Sequence, residues 1–171
     1  MTRRVAHLSM HTSPLVQPGV GDAGGMNVYI DQLARAMAAA GVAVDVFTRR
    51  DNPSLPDSVT VLPGYTVHHI DAGPARHVPT VRLVPHVRQF ADGVLARLAN
   101  LPVVDVVHTH YWLSGWAGLL VKQRLGVPMA NSFHTLGRIK NLTRRGDEPP
   151  EPLLRIAAEM EVIQGSDCVV A

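Results

Sequence analysis

The chain has 171 residues, of which 46% are hydrophobic, 18% charged and 5% aromatic, with a formal net charge of +2. This is one domain's worth of sequence with ample apolar content, which excludes a disordered tail. Scattered arginines and few aromatics exclude a basic, aromatic-interleaved nucleic-acid surface, and a single cysteine, Cys168, excludes an internal disulfide framework.

The opening MTRRVAHLSMH is basic, but its apolar run is short and broken by His7, unlike a signal peptide. The most apolar stretch, LARAMAAAGVAVDVF, is interrupted by Arg35 and Gly41 and cannot span a bilayer. The expectation is a soluble, cytoplasmic protein.

In chain order, VAHLSM (5–10) reads as a short buried strand, followed by the long loop HTSPLVQPGVGDAG. From Gly25 the period becomes helical through Met26, Ile30, Leu33 and Met37, with Gly41 at the C-terminal cap. VAVDVFT (42–48) alternates as a strand, DNPSLPD is a turn, and VTVLP and YTVHHI form two shorter strands. A Pro/Gly-rich loop leads to a helix around Pro85–Ala99, whose first turn tolerates Pro85. VVDVVHTH (103–110) is a β-branched strand, WLSGWAGLLVKQRLG a helix ending on Gly126, and VPMANSF (127–133) a further strand. GRIKNLTRRGDEPPEP reads as a polar loop, LLRIAAEMEVIQG as a helix, and SDCVVA as the opening of another strand. This alternation predicts an α/β fold: a Rossmann-like parallel sheet with helices on both faces. The sequence stops inside a strand signal, so the expectation is a domain spanning 1–171 within a larger protein.

GVGDAGGMN (19–27) contains a literal G-x-G-x-x-G at Gly19, Gly21 and Gly24. In a dinucleotide-binding turn the first glycine follows its strand at once and an acidic residue ends the second strand. Here His11 to Pro18 intervene, the second strand ends in Thr48-Arg49-Arg50, and Asp45 lies inside it while a turn follows Asp51. The spacing fits a different phosphate site better. Gly24 and Gly25 open the first helix, where free N–H groups and the dipole's positive end meet an anion and no Cβ obstructs it. The alternatives are an oxidoreductase or epimerase of NAD type, a non-catalytic phospholigand module or half of a split enzyme, and a flexible surface loop.

His11, His108, His110 and His134 all fall at the carboxyl edge of the inferred sheet, where such folds bind ligands. His68, His69 and His86 lie outside that pattern and read as structural or surface residues. H-T-H at 108–110 puts two imidazoles on one face of a strand, but zinc needs a third ligand and Asp105 faces away, so no metal site is expected. No G-x-S-x-G occurs, Cys168 sits in a strand expected to be buried, and Asp22 is a lone carboxylate without a catalytic partner. Arg155 and Glu159, spaced i,i+4, are either a surface ion pair or an anion contact.

HTSPLVQPGVGDAGGMNVYIDQLA, VVHTHYWLSGWAG, SFHTLGRIKN and EPLLRIAAEMEVI occur in that order. Together they resemble the N-terminal half of retaining glycosyltransferases of family 4, which have the GT-B fold. The likeness is greatest to members acting on an inositol phosphate, with the sucrose-phosphate-synthase-like enzymes next. The resemblance implies transfer of a sugar, N-acetylglucosamine or a hexose, from a nucleotide-sugar donor (UDP-linked) to a hydroxyl of a small phosphorylated acceptor. It implies no metal or other cofactor, a C-terminal domain in cis for most nucleotide contacts, and homodimers as the oligomeric option. It also implies that this part alone is close to inactive. By the same resemblance Gly24 and Gly25 contact the donor diphosphate, and His134 orients the donor sugar at the reaction centre. Asn27, Tyr111, Thr135 and Arg155 hold the phosphorylated acceptor. The inositol-phosphate members also use a Lys in the segment after A-G-P. Here AGPARHVPTVRLVPHVRQF has no Lys, and ungapped matching puts Thr80 in its place, with Arg76, Arg82 and Arg88 as cationic substitutes. That departure leaves the acceptor open among inositol phosphate, another phosphosugar and a different polyol.

Overall fold

The computed structural model describes residues 3–17, 19 and 24–170; Gly21 and Asp22 lie outside the described residues. Seven strands form one sheet: β1 (Arg4–Ser9), β2 (Ala43–Arg49), β3 (Ser58–Leu62), β4 (Tyr65–Ile70), β5 (Val106–His110), β6 (Met129–Ser132) and β7 (Cys168–Val170). Their spatial order is β3-β4-β2-β1-β5-β6-β7, parallel throughout except for the β3–β4 hairpin. The helices are α1 (Gly25–Ala39), α2 (Val87–Leu98), α3 (Tyr111–Leu125), α4 (Gly137–Thr143) and α5 (Leu153–Gly165). Among the described residues no helix is long and apolar enough to cross a membrane.

The central strands are buried because both their faces are covered, and polar side chains such as His7, His108 and His110 gather towards their carboxyl ends. On one face α1 lays Ile30 and Ala34 on Val44, Val46, Tyr65 and Val67. On the other, Phe90 and Val94 of α2 and Leu113, Ala117 and Val121 of α3 pack with Ala6, Leu8, Phe47 and Val107. Strand β2 shows the period-two alternation directly, sending Val44 and Val46 to α1 and Phe47 to α2 and α3. The fold expected from the sequence is therefore the fold found, with the α1 break at Gly41 (φ 82) one residue past the Ala40 cap.

Four local expectations differ. The segment read as the loop GRIKNLTRRGDEPPEP contains α4, whose Ile139 and Leu142 are largely exposed, so no buried periodicity announced it. Pro85 lies in a short 3-10 turn, Val84–His86, ahead of α2 instead of in its first turn. Val103, expected in a strand, is exposed, and β5 begins only at Val106. Cys168, expected to be buried, is exposed because β7 lies at the edge of the sheet.

Close approach of α3 to the sheet rests on its glycines. A Cβ at Gly118 would strike the Thr109 methyl and lie 3.1 Å from Met129 Sδ, and one at Gly115 would lie 2.6 Å from Val162. Gly118→Val is expected to lower stability by roughly 1–3 kcal/mol through overpacking, despite removing a helix-interior glycine. Urea unfolding measures it, and an unchanged midpoint would show that α3 can lift off the sheet freely.

Candidate functional site

The strand order reverses at β1, which pairs with β2 on one side and β5 on the other. At such a switch point the flanking connections leave to opposite faces, opening a crevice at the carboxyl ends. The loop leaving β1 is pinned at once: Met10 N–H donates to Ser114 Oγ (2.9 Å), and Ser9 Oγ–H to the Thr12 carbonyl (2.7 Å). Farther along, the loop is tied to the start of α1 through Asn27. Its Oδ1 accepts from Gly24 N–H (3.2 Å), and its amide donates to Thr12 Oγ1 (2.6 Å) and the Ser13 carbonyl.

A cavity of ≈ 520 Å³ opens in this crevice. Gly24, Gly25 and Met26 at the start of α1 form one wall, Tyr111, His134 and Thr135 the other, and His11 and Thr80 complete the lining. A Cβ built on Gly24 or Gly25 meets no atom within 4 Å. Internal packing therefore does not demand glycine there, and what these residues leave is open space beside a helix N-terminus.

Five of the seven residues expected at the site line the cavity: Gly24, Gly25, Tyr111, His134 and Thr135. The other two stand behind the wall. Asn27 is buried with its amide committed as described. Arg155 is 2% exposed, which corrects the surface ion-pair reading of Arg155 and Glu159. Its Nε donates to Glu159 Oε1 (2.7 Å), Nη1 pairs with Glu151 Oε2 (2.9 Å), and Nη2 donates to both the carbonyl and Oγ1 of Thr135 (3.0 Å each). The guanidinium carbon also lies 4.9 Å from the centroid of the Tyr111 ring. Arg155 thus holds two wall residues at once. Of the cationic substitutes, Arg88 lines a separate groove between α2, α3 and α5, whereas Thr80 reaches the cavity.

A row of imidazoles lies beneath His134, on the face of the sheet that carries α1. His7 of β1 pairs in register with His108 of β5, so His7, His108 and His110 project on one side. His7 Nδ1 and His110 Nε2 are 2.9 Å apart, and His110 Nδ1 and His134 Nε2 3.1 Å. His108 Nε2 meets Ser132 Oγ at 3.0 Å, and Tyr29 of α1 sets its ring edge 5.3 Å from His134, centroid to centroid. His7 is the third imidazole that sequence reasoning missed beside H-T-H; its ring nitrogens, with those of His108 and His110, fall within 4.8 Å of one another. Both nitrogens of His110 lie within hydrogen-bond distance of other imidazoles, so His7, His110 and His134 form a hydrogen-bonded row. Burial, aided by His108, pushes His7 down to about 3, and burial, aided by His134, takes His108 to about 4. Burial also lowers His110 well below the ordinary range, and lowers His134. Each of these shifts favours the neutral ring.

An open parallel sheet, a glycine-opened helix and a polar cavity at the switch point define a Rossmann-like ligand-binding domain. Residues 24–171 match the family described as "Glycosyl transferase 4-like domain", and the chain belongs to that family. It is 46% identical over 170 residues to a D-inositol 3-phosphate glycosyltransferase of Streptosporangium roseum, covering 98% of this chain and 39% of that protein. It is 47% identical to one of Stackebrandtia nassauensis, covering 98% and 38%. Among solved structures, sucrose-phosphate synthase from Thermosynechococcus elongatus superposes with a TM-score of 0.91 at 32% identity, covering 98% of this chain and 41% of that one. The chain spans about two fifths of the length of these relatives. Family membership displaces the oxidoreductase alternative.

The buried imidazoles make stability depend on acid in a defined direction. Each has a folded value below its ordinary 6.5, so as pH falls past 6.5 the unfolded chain takes up protons that the folded state refuses. Stability is full above about 6.5 and is lost on acidification, by up to about 1.4 kcal/mol per pH unit for each histidine. Between pH 7 and 5 the urea midpoint is expected to drop, and to drop less steeply in His7→Met. A flat profile over that range would mean that the rings are hydrated.

Proposed function

We propose that this chain is the acceptor-side domain of a retaining glycosyltransferase that moves a sugar from a nucleoside-diphosphate donor to a hydroxyl of a phosphorylated polyol, inositol phosphate being the first candidate. One observation carries the reading: the cavity sets Gly24 and Gly25, at the positive end of α1, opposite Tyr111, His134 and Thr135. The helix N-terminus and the two bare backbone units suit a diphosphate. Across from it, the Tyr111 and Thr135 hydroxyls suit an acceptor phosphate, and Arg155 behind them, its charge balanced by Glu151 and Glu159, fixes both. The inositol-phosphate acceptor comes from the relatives' names and from the sequence resemblance.

In this reading the bond from the anomeric carbon to the diphosphate oxygen breaks, and the acceptor oxygen bonds to that carbon on the same face. The acceptor proton passes to the departing diphosphate. The protein contributes position and electrostatics, with no enzymic nucleophile. The domain that completes the nucleotide site belongs to the remainder of the full-length protein, and the transfer is expected to proceed unchanged after treatment with a chelator.

The full-length protein, assayed with several UDP-sugars and paired phosphorylated and unphosphorylated polyols, is expected to glycosylate the phosphorylated ones. Equal transfer to unphosphorylated inositol would sink the phosphate-acceptor reading. His134→Ala is expected to cut kcat by about a hundredfold or more with little change in acceptor KM. Arg155→Lys keeps the charge but loses the fork that joins Glu159 to Thr135, and is expected to raise acceptor KM about tenfold at nearly constant donor KM.

A further inference from the structure

The row of imidazoles has a direction. With one hydrogen on each neutral ring, only two arrangements make both hydrogen bonds of the His7–His110–His134 row: every hydrogen points towards the cavity, or every hydrogen points away. The inner end decides between them. His7 Nε2 is buried and meets no hydrogen-bond partner among the described residues. If the hydrogens pointed away, His7 would carry its hydrogen on that nitrogen, leaving a buried N–H donor without an acceptor, a rarer state than the unpaired acceptor lone pair that the opposite arrangement leaves there. If they point towards the cavity, His7 Nδ1–H donates to His110 Nε2 and His110 Nδ1–H to His134 Nε2. His134 then carries its hydrogen on Nδ1, the nitrogen left over on a ring that lines the cavity.

We infer that His7 is a positioning residue: through His110 it fixes His134 as the Nδ1–H tautomer, so that His134 meets the reacting sugar as a hydrogen-bond donor and not as a base. The effect crosses two rings from a buried strand interior that does not line the cavity. Neutrality of the row follows from its burial, which keeps an imidazolium from forming and reversing the order. The Tyr29 ring edge and the stacking of His7 against His110 (centroids 5.2 Å, planes 13° apart) hold the rings in place. This inference rests on the transferase reading for what His134 does, but the tautomer itself is a property of the protein alone.

The test is the long-range proton–nitrogen spectrum of protein labelled with nitrogen-15 in its histidines, recorded near pH 7 without sugar. His134 is expected to show a protonated Nδ1 and a bare Nε2; the reverse assignment in the unsubstituted protein overturns the inference by itself. In His7→Met the row loses its first donor, and the His134 tautomer ratio is expected to shift towards Nε2–H by about fivefold, the net worth of one neutral hydrogen bond. His7→Asn restores an N–H near the position of Nδ1 and is expected to return the ratio to that of the unsubstituted protein. An unmoved ratio in His7→Met, or an Asn variant that behaves like Met, would contradict a role for His7. In the full-length transferase, His7→Met is expected to lower kcat several-fold with acceptor KM unchanged, and an unaltered kcat likewise overturns the positioning role. If the full-length protein transfers no sugar at all, the function proposed above fails while the spectrum still reports on the row.

Discussion

The arrangement depends first on the parallel pairing of β1 with β5. It places the sheet's reversal of order in the middle of the molecule. The chain leaving β1 must then reach α1 on one face, while the chain leaving β5 enters α3 on the other. No helix can fill the gap between the two departures, so a cavity forms over the strand ends. The same register sets His7 opposite His108. A slip of one residue would turn His7 to the α3 face, against the glycines that let that helix approach, and would dissolve the histidine row.

Two residues whose types suggested ligand contact instead hold the cavity walls. Asn27 satisfies the Gly24 N–H and two groups of the preceding loop, fixing where α1 begins. Arg155 joins α5 to the turn after β6 and stacks over Tyr111. Burying Arg155 between Glu151 and Glu159 is costly in desolvation, and removing it would leave the almost fully buried Glu159 carboxylate facing, among the described residues, the Gly137 N–H. What the pairing secures is geometry. Small polar groups on turns, which would otherwise sample many orientations, are fixed before a ligand arrives, so binding need not order them.

The parallel sheet was legible because strands covered on both faces are rich in β-branched and apolar residues, as VAVDVFT and the start of VVDVVHTH are, and because they alternate with helical periods. Helix α4 was not legible, since Ile139 and Leu142 face outward and offer no buried stripe; nor was the exposure of Cys168, which follows from the edge position of β7. Gly24, Gly25 and His134 could be placed at the cavity because each opens a helix or follows a strand at the carboxyl edge, whereas Tyr111 and Thr135 were reached only through the family resemblance. His7 could be reached by neither route. It lies in mid-strand, 103 residues from its partner His110, and only the pairing register brings them together. The H-T-H spacing was the one available signal, since two imidazoles on one strand face ask what the neighbouring strand sets beside them.

Tyr111 and His134 carry the remaining physical tension. Each follows its strand directly or nearly so, and each has a left-handed backbone, with φ of 73° and 60°. For residues with a Cβ this conformation costs on the order of 1 kcal/mol or more, and it persists only where surrounding contacts over-determine it. Those contacts are present and shared. The Arg155 guanidinium lies over the Tyr111 ring and donates to the Thr135 carbonyl beside His134, while His110 holds the His134 ring from below. The two strained turns are thus tied to one cation and one imidazole row. Relaxing either turn would break bonds on which the other depends, which is why both side chains remain aimed into the same cavity.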